Sequence, residues 1–288
     1  MRSFPKNMVR KNNWASILFF IAATTGALVG APWYLWHSGL HSKDIFLFIF
    51  FIMATSLSIT VGYHRLFSHA SYKTNAFIRF LVLFFGAAAF EQSALTWSST
   101  HRDHHRHADT DLDPYGIKKG FFHAHMGWML FWKHEPDFSN VKDLMKDDLL
   151  NHQHRYYPVW AILAGVLFPM AIGALQGRLL AAFIFTVCVR LTLVHHATFC
   201  INSFAHKFGT ASHNAQATAR DNWFMALLTN GEGYHNFHHC FPTDYRNGIR
   251  WYHWDPSKWT IAILAYLGLA WDLQVCRMTS GKPSSVTN

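Results

Sequence analysis

Charged side chains are scarce in this sequence. Aspartate, glutamate, lysine and arginine make up 14% of the 288 residues, whereas soluble domains carry roughly 25%. Hydrophobic residues account for 51% of the chain and aromatic residues for 17%. This composition disfavours an ordinary soluble domain. It predicts an integral membrane protein with a substantial part outside the bilayer.

Acidic residues are the rarer charged type, which leaves a formal net charge of +9. A basic surface that binds nucleic acid is one explanation. Long apolar runs have no place in such a protein, so we expect no nucleic-acid partner. A cytoplasmic membrane face rich in lysine and arginine explains the same excess.

Cysteine is also rare, and the four cysteines form no C-x-x-C pair. This spacing gives no indication of a disulfide framework or a zinc ribbon. The sequence contains no glycine-rich dinucleotide fingerprint. Soluble di-iron bundles hold their metals with two Glu-x-x-His motifs, and this sequence has only one such spacing, Glu232 to His235.

Histidine, by contrast, is abundant, with 21 residues. The pattern H-x-x-H-H occurs twice, beginning at His101 and at His235. On a helix these three positions share one face. A further pair, His64 and His69, closes the segment Gly-Tyr-His-Arg-Leu-Phe-Ser-His. Neutral imidazole is the commonest metal ligand, so the blocks predict a site for more than one metal ion.

Carboxylates near these blocks could accept the second ring N–H of a metal-bound imidazole. Such a bond fixes the tautomer of the ring and balances the charge of the metal. For each acid taken singly, a solvated loop charge is the simpler interpretation. The candidates are Asp103, Asp109, Asp111, Asp113 and Glu232.

Four apolar runs are long enough to cross a hydrocarbon core of roughly 30 Å as helices. They cover residues 14–36, 45–63, 158–176 and 179–199. A fifth run, 80–90, reaches only about 16 Å as a helix, so residues 77–97 are predicted to form an interfacial helix. We expect a basic tail over 1–13, a single membrane domain over 14–278 and a disordered tail over 279–288.

This order of spans places every histidine block on one side of the membrane, together with most lysines and arginines. The opposite loops hold only Lys43 and Arg178. By the positive-inside rule, the histidine side and both termini are cytoplasmic. The predicted architecture is an all-α protein with four transmembrane helices and a cytoplasmic helical cap that carries the metal site.

The histidine blocks resemble the three histidine boxes of the membrane fatty-acyl desaturases, most closely the stearoyl-CoA delta-9 type. Similarity continues outside the boxes at Asp113-Pro114 and at Asn202-Ser203 with His206. It runs in order from Gly62 to Trp254, without a fused cytochrome b5-like segment. The boxes are His64-Arg-Leu-Phe-Ser-His69, His101-Arg-Asp-His-His105 and His235-Asn-Phe-His-His239.

The resemblance implies a centre of two iron ions. Imidazole suits zinc as well as iron. However, removal of hydrogen from an unactivated methylene needs a redox metal and dioxygen, and zinc has no redox chemistry. Asn202 matches the residue that holds a metal-bound water. The implied ligands are His64, His69, His101, His104, His105, His206, His235, His238 and His239.

The implied activity is oxygen-dependent insertion of a cis double bond, with delta-9 position expected, into a saturated acyl chain. The acyl carrier is left open between CoA, acyl carrier protein and a membrane lipid. Two electrons are needed, and no redox domain is recognisable in the sequence. An external electron-transfer protein such as a ferredoxin, cytochrome b5 or a flavoprotein reductase is therefore expected.

The resemblance also indicates substrate contacts. Family members line the bend of an acyl tunnel at positions matched here by four residues: Glu91, Trp97, Thr198 and Phe199. Glutamate and phenylalanine replace the usual glutamine and tryptophan at two of these positions. Lys118 and Lys119 stand where the family has a basic pair and could bind a phosphate or anionic head group. An interfacial lysine patch explains this pair equally well.

Two other functions remain open at this point. A related hydroxylase would use the same metal centre but return oxygen to carbon. A membrane metal transporter belongs to a different class, and its site should lie near the bilayer midplane. The histidine blocks lie at the ends of the spans or beyond them, so transport is disfavoured.

Overall fold

Four long helices carry the apolar runs. The computed structural model describes residues 8–276, and within them four helices are long and apolar enough to cross a membrane. The four predicted spans are thereby confirmed. Lipid cannot hydrogen-bond backbone groups, so a helix is the form that these runs must take. In chain order, the first to fourth spans are Trp14–Ser38, Ser42–Ser68, Tyr157–Leu175 and Leu179–Ser203.

Shorter helices lie between and after the spans, and several begin at polar capping residues. The side chains of Asn75, Ser93 and Asp255 each accept a backbone N–H from the first turn of the helix that follows, which satisfies a donor with no partner inside the helix. These helices are α1 (Ala76–Ala87), α2 (Ala94–His107), α3 (Trp128–Phe131), α4 (Asp148–Arg155), α5 (Trp223–Leu228), α6 (His235–Cys240) and α7 (Pro256–Tyr266).

The predicted continuous interfacial helix over 77–97 is wrong. The chain leaves the helical path after Ala87, and Phe90 and Gln92 adopt left-handed backbone angles with φ of 58° and 75°. Ser93 then caps α2 and starts a new helix. Only the first part of the segment forms a short apolar helix, α1. At the break, Ala88 and Ala89 are buried and Phe90 and Glu91 are half-buried.

A buried arginine of the fourth span holds this break in place. Arg190 is fully buried, and its guanidinium donates to Thr55 Oγ1 at 3.1 Å, Ala88 O at 2.6 Å and Gly165 O at 2.8 Å. This arginine therefore faces polar groups inside the protein. Gly165 is needed at this contact, because a Cβ there would lie 2.5 Å from the Phe90 ring.

Two short antiparallel strand pairs tie the ends of the described chain to the helices. Strand β1 (Met8–Arg10) pairs with β3 (Trp132–His134), and β2 (Lys73–Thr74) pairs with β4 (Ala270–Trp271). The predicted basic tail over 1–13 therefore includes a paired strand. Its first seven residues, and the tail predicted over 279–288, lie outside the described residues.

Apolar packing beneath the histidines fixes the second span against α1, α2 and α7. Tyr63, Leu83, Leu95 and Ile261 belong to one cluster and are at most 2% exposed. A buried side chain in such a close-packed cluster has little freedom to shift. The histidines that follow Tyr63 and Leu95 in the chain are therefore held on a rigid base.

Candidate metal centre

Nine histidine side chains from four separate parts of the chain meet in two groups. Within each group, one ring nitrogen of every member lies within 4.8 Å of the others. The groups are adjacent, since the rings of His105 and His239 stack at 4.3 Å between centroids. The first group is His64, His69, His101, His105 and His238, and the second is His104, His206, His235 and His239.

Helix geometry explains how these side chains converge. The last turns of the second span present His64, and His69 follows directly. In α2, the i, i+3, i+4 spacing places three histidines on one face, but His104 points to the second group and its neighbour His105 to the first. Helix α6 divides its histidines between both groups in the same way. Each H-x-x-H-H block therefore joins the two sites.

The donor set fits two metal ions. Facing Nε2 atoms lie 2.9–3.3 Å apart in six pairs. Ligand atoms at about 2.1 Å from one metal, at angles between octahedral and tetrahedral, are themselves roughly 3.0–3.4 Å apart. A cation bound between the rings of each group would remove the repulsion between Nε2 lone pairs that face each other. The pairs are His64–His238, His69–His101, His105–His238, His104–His239, His206–His235 and His235–His239.

Burial keeps these imidazoles in the form that binds metal. Removal from water, reinforced by the neighbouring rings, holds the pKa of His101, His105 and His239 well below the ordinary histidine value. Protons compete with metal for the ring lone pair, and a low pKa weakens that competition near neutral pH. The pKa is lowered in the same direction at His69, His206, His235 and His238.

Two of the predicted carboxylates contact ligand histidines directly. Asp113 is buried, and its carboxylate lies 2.9 Å from His104 Nδ1. Glu232 is also buried and lies 2.9 Å from His64 Nδ1. Each bond directs Nε2 of the ring towards its metal group, as expected for carboxylate partners of metal-bound histidine.

The other three predicted acids differ. Asp109 reaches His206 only through Thr218, whose hydroxyl lies 2.9 Å from His206 Nδ1. Asp103 accepts from the amide of Asn140, and Asp111 is exposed. Among the described contacts, neither Asp103 nor Asp111 reaches a ring of the two groups.

An apolar cavity of about 300 Å³ ends against the first and second groups. His64, His101 and His235 line it at one side, together with Asn202. Aromatic residues of the first span and of the helix break line it deeper in the protein, where Phe19 and Phe90 pack on the core of the spans. A chain of methylene groups in this cavity would lie against the histidines of both groups.

The four residues predicted at the bend of the tunnel all line this cavity: Glu91, Trp97, Thr198 and Phe199. Three of them form a hydrogen-bonded unit, since Trp97 Nε1 donates to Glu91 Oε2 at 3.2 Å and Thr198 donates to Glu91 Oε1 at 2.8 Å. Trp97 also stacks on His101 with a centroid distance of 4.8 Å. This unit therefore connects the cavity wall to the metal groups.

The pH should control the binding of an apolar chain in this cavity through Glu91. Burial raises the pKa of Glu91 to about 7, although Thr198 and Trp97 donate to it and act in the opposite direction. An ionised carboxylate in an apolar cavity disfavours a methylene chain. We expect KM for a substrate with a long apolar chain to rise several-fold between pH 6 and pH 8, and Glu91→Gln to remove most of this dependence.

The raised pKa of Glu91 also makes the stability of the folded protein depend on pH. The pKa of Glu91 lies above its ordinary value of 4.5 in the folded chain, so the folded state binds the proton more tightly. Its contribution to stability is therefore greatest at acid pH and decreases as the pH rises towards about 7. Identical pH profiles of KM and of thermal stability for wild type and Glu91→Gln would contradict the assignment.

The lysine pair lies away from the cavity. Lys118 Nζ donates to the Asp109 carbonyl at 2.5 Å, and Lys119 Nζ donates to the Asp113 carbonyl at 2.6 Å. Both lysines thus brace the loop that presents the acids. Neither lysine lies among the residues that line the apolar cavity.

Sequence reasoning missed two features of the site. Tyr115 stacks on His104 at 4.5 Å, and its hydroxyl lies 3.4 Å from His101 Nδ1. A second cavity of about 460 Å³ adjoins the first, and Asn13, Gln92 and Trp128 line both. No spacing in the sequence marks these residues, because they meet only through long-range contacts.

Comparison with known proteins gives one consistent result. A fatty acid desaturase family model matches residues 44–270. The chain is 40% identical over 271 residues to a probable acyl-CoA desaturase of Schizosaccharomyces pombe, covering 93% of this chain and 56% of that protein. It is 40% identical over 273 residues to acyl-CoA desaturase 1 of Saccharomyces cerevisiae, with coverages of 91% and 53%.

A shorter relative matches over nearly its whole length. The sn-1 stearoyl-lipid 9-desaturase of Anabaena variabilis is 32% identical over 269 residues, which cover 91% of this chain and 94% of that protein. The chain thus spans about half the length of the two yeast relatives, at 56% and 53%. The residues matched by the family model, 44–270, include every histidine of the two groups.

Proposed function

This chain belongs to the fatty acid desaturase family, and on that premise we propose that it inserts a cis double bond into a saturated fatty-acyl chain. The observation that carries the proposal is an apolar cavity that ends against two groups of buried histidines. A saturated chain has no polar group to recognise, so binding must come from shape and from exclusion of water.

We propose that the nine histidines hold two iron ions, the first group one ion and the second group the other. Asn202, which lines the cavity beside His235, is proposed to hold a metal-bound water. Bound iron would supply the redox chemistry with dioxygen that removes two hydrogens from an unactivated methylene pair, with water as the other product. Zinc has no redox states for this reaction.

The residues of the chain bind and orient the substrate. The cavity wall holds the methylene chain out of water, and Trp97 presents it to the face of the first metal group through its stacking on His101. The Glu91 unit and Phe199 shape the wall where the chain must bend. We propose that this shape selects the delta-9 position, in line with the names of the Anabaena relative and of a Caenorhabditis elegans relative, the delta(9)-fatty-acid desaturase fat-6.

The acyl carrier is proposed to be CoA or a membrane lipid. Relatives at similar coverage of this chain are named for each: acyl-CoA for the yeast proteins and stearoyl-lipid for the Anabaena protein. Lys118 and Lys119 hold loop carbonyls and lie outside the cavity lining, which argues against their predicted contact with the head group. Acyl carrier protein remains the third possibility for the assay.

We propose that the histidine side of the membrane and both termini are cytoplasmic, because lysine and arginine are concentrated on that side. Two electrons per turnover would come from a separate protein such as a ferredoxin, cytochrome b5 or a flavoprotein reductase. A basic cytoplasmic face favours encounter with an acidic donor.

Expression in a host without unsaturated fatty acids tests the proposal. We expect monounsaturated chains with the double bond at carbon 9 to appear, measured by fatty-acid analysis of whole lipids. A hydroxylated chain without an alkene would replace the proposal by the related hydroxylase. A host that accumulates metal without any new fatty acid would favour a transporter. An inactive His105→Ala chain at equal expression is the matched control.

A further inference from the structure

A threonine in the loop after the fourth span contacts the second metal group. Thr218 belongs to no histidine box, and it lies in the loop that is closed by the bridge between Thr210 and Asp221. Its hydroxyl lies 2.9 Å from His206 Nδ1. The same hydroxyl donates to Asp109 Oδ1, and the Thr218 backbone N–H donates to Asp109 Oδ2 at 2.9 Å.

The direction of these bonds fixes where the protons lie. An ionised carboxylate only accepts hydrogen bonds, so the Thr218 hydroxyl must give its one proton to Asp109. The hydroxyl oxygen then offers a lone pair to His206 and must accept from Nδ1–H. His206 is thereby held as the tautomer whose Nε2 carries the free lone pair. That Nε2 lies 3.0 Å from Nε2 of His235, inside the second group.

The carboxylate itself is rigidly placed. Both of its oxygens accept from Thr218. Asp109 has a left-handed backbone with φ of 64°, and Lys118 donates to its carbonyl. The hydroxyl therefore has one acceptor in a fixed position, and rotation of the hydroxyl towards His206 would break its bond to the carboxylate.

The rings of the second metal group are held in different ways. In the second group, Asp113 contacts His104 directly at 2.9 Å, whereas His206 is reached through a neutral hydroxyl. His235 Nδ1 is buried and has no hydrogen-bond partner among the described residues. The rings of the second group are therefore oriented by two carboxylates. Asp113 acts directly on His104, and Asp109 acts on His206 through Thr218.

We propose that Thr218 and Asp109 are positioning residues of the second metal site, where they fix the tautomer and ring orientation of His206. The identification of the metal as iron rests on the function proposed above. The hydrogen-bonded relay stands on the geometry alone. Partners of metal-bound histidine typically change metal affinity by roughly 10- to 100-fold when removed.

Metal release from the purified full-length protein in detergent tests the relay. Thr218→Val keeps the side-chain shape but removes the hydroxyl, and Thr218→Ser keeps the hydroxyl. After loading with Fe²⁺, we expect one of the two ions in Thr218→Val to be lost to a chelator roughly 10-fold faster than in wild type. The other ion should leave at the wild-type rate, and Thr218→Ser should behave as wild type.

The ratio of the two release rates distinguishes a role in positioning His206 from a general loosening of the fold, because a loosened fold would release both ions faster. Asp109→Asn provides a second variant if Thr218→Val does not fold. The asparagine amide can donate to the Thr218 hydroxyl, which would then donate its own proton to His206 Nδ1. The second ion of this variant should also leave several-fold faster. Wild-type release of both ions from whichever variant folds would overturn the proposal. A protein that binds two ions with the expected ratio but desaturates nothing would overturn only the proposed function.

Discussion

Replacement of His239 by alanine should abolish desaturation and empty the second metal site. Nε2 of His239 lies 3.0 Å from that of His235 and 3.3 Å from that of His104, and its ring stacks on His105 of the first group. Its loss removes one of four ligands and a contact between the sites. Loss of a partner of a ligand already costs roughly 10- to 100-fold in affinity or activity, so loss of the ligand should cost more than about 100-fold.

Metal content and product should be measured on the same preparation. We expect about one iron per chain and no detectable alkene for His239→Ala. His107→Ala is the matched control, because His107 follows the second box on the same helix but belongs to neither group. It should keep two irons and near-wild-type activity. Full desaturation by His239→Ala would show that the second group is not the reaction centre.

Replacement of Arg65 by methionine should destabilise the protein strongly. Arg65 is 1% exposed, and its guanidinium donates to Glu232 Oε1 at 2.9 Å and to Asp255 Oδ1 at 3.0 Å. It also donates to the Tyr245 carbonyl at 2.7 Å. Methionine fills similar space without charge and leaves two buried carboxylates without their cation. Breaking a buried ion pair in this way costs about 3–5 kcal/mol.

Thermal unfolding in detergent checks this prediction. A cost of that size should lower the midpoint by roughly 6 °C or more. Lys73→Met is the control, because Lys73 and Asp272 form an ion pair that is 69% and 53% exposed. Exposed pairs contribute at most about 1 kcal/mol. Equal midpoints for the two variants would show that Glu232 and Asp255 are compensated by other groups.

The Arg65 variant also links stability to the metal centre. Glu232 bridges Arg65 and His64, since its second carboxylate oxygen lies 2.9 Å from His64 Nδ1. Asn247 donates to that same oxygen at 2.6 Å. When Arg65 is absent, Glu232 is free to shift or to take up a proton. We therefore expect the first metal site to bind more weakly in Arg65→Met, while the second site is unaffected.

The spans were predictable because an apolar run depends on local sequence, whereas the full ligand set was implied by the resemblance to the desaturase boxes. An apolar run of about 20 residues must be a helix in lipid, whatever surrounds it. The i, i+3, i+4 spacing of the histidines places them on one helical face. The alternation of His104 and His105 between two groups was not predictable, because it depends on where α6 and the end of the second span lie in space.

The break after α1 shows the same limit. The run 80–90 contains neither a proline nor a charged residue, so these residue types give its helix no local reason to end. The break is stabilised from outside, by Arg190 at the Ala88 carbonyl and by the close approach of Gly165 to Phe90. Phe90, Glu91 and Gln92 line the apolar cavity, and contacts from two other spans hold the break that places them there.

By itself, the sequence predicted the membrane class and the four spans, because hydrophobic length acts within a few turns of chain, whereas the set of nine histidines was implied by the resemblance to the desaturase boxes. Only the tertiary structure decided how the histidines divide between two sites and which acids reach them. It also decided that Thr218 stands between Asp109 and His206. The Thr218–Asp109 contact, for example, joins residues 109 positions apart, and no local pattern in the sequence encodes which loops meet in space.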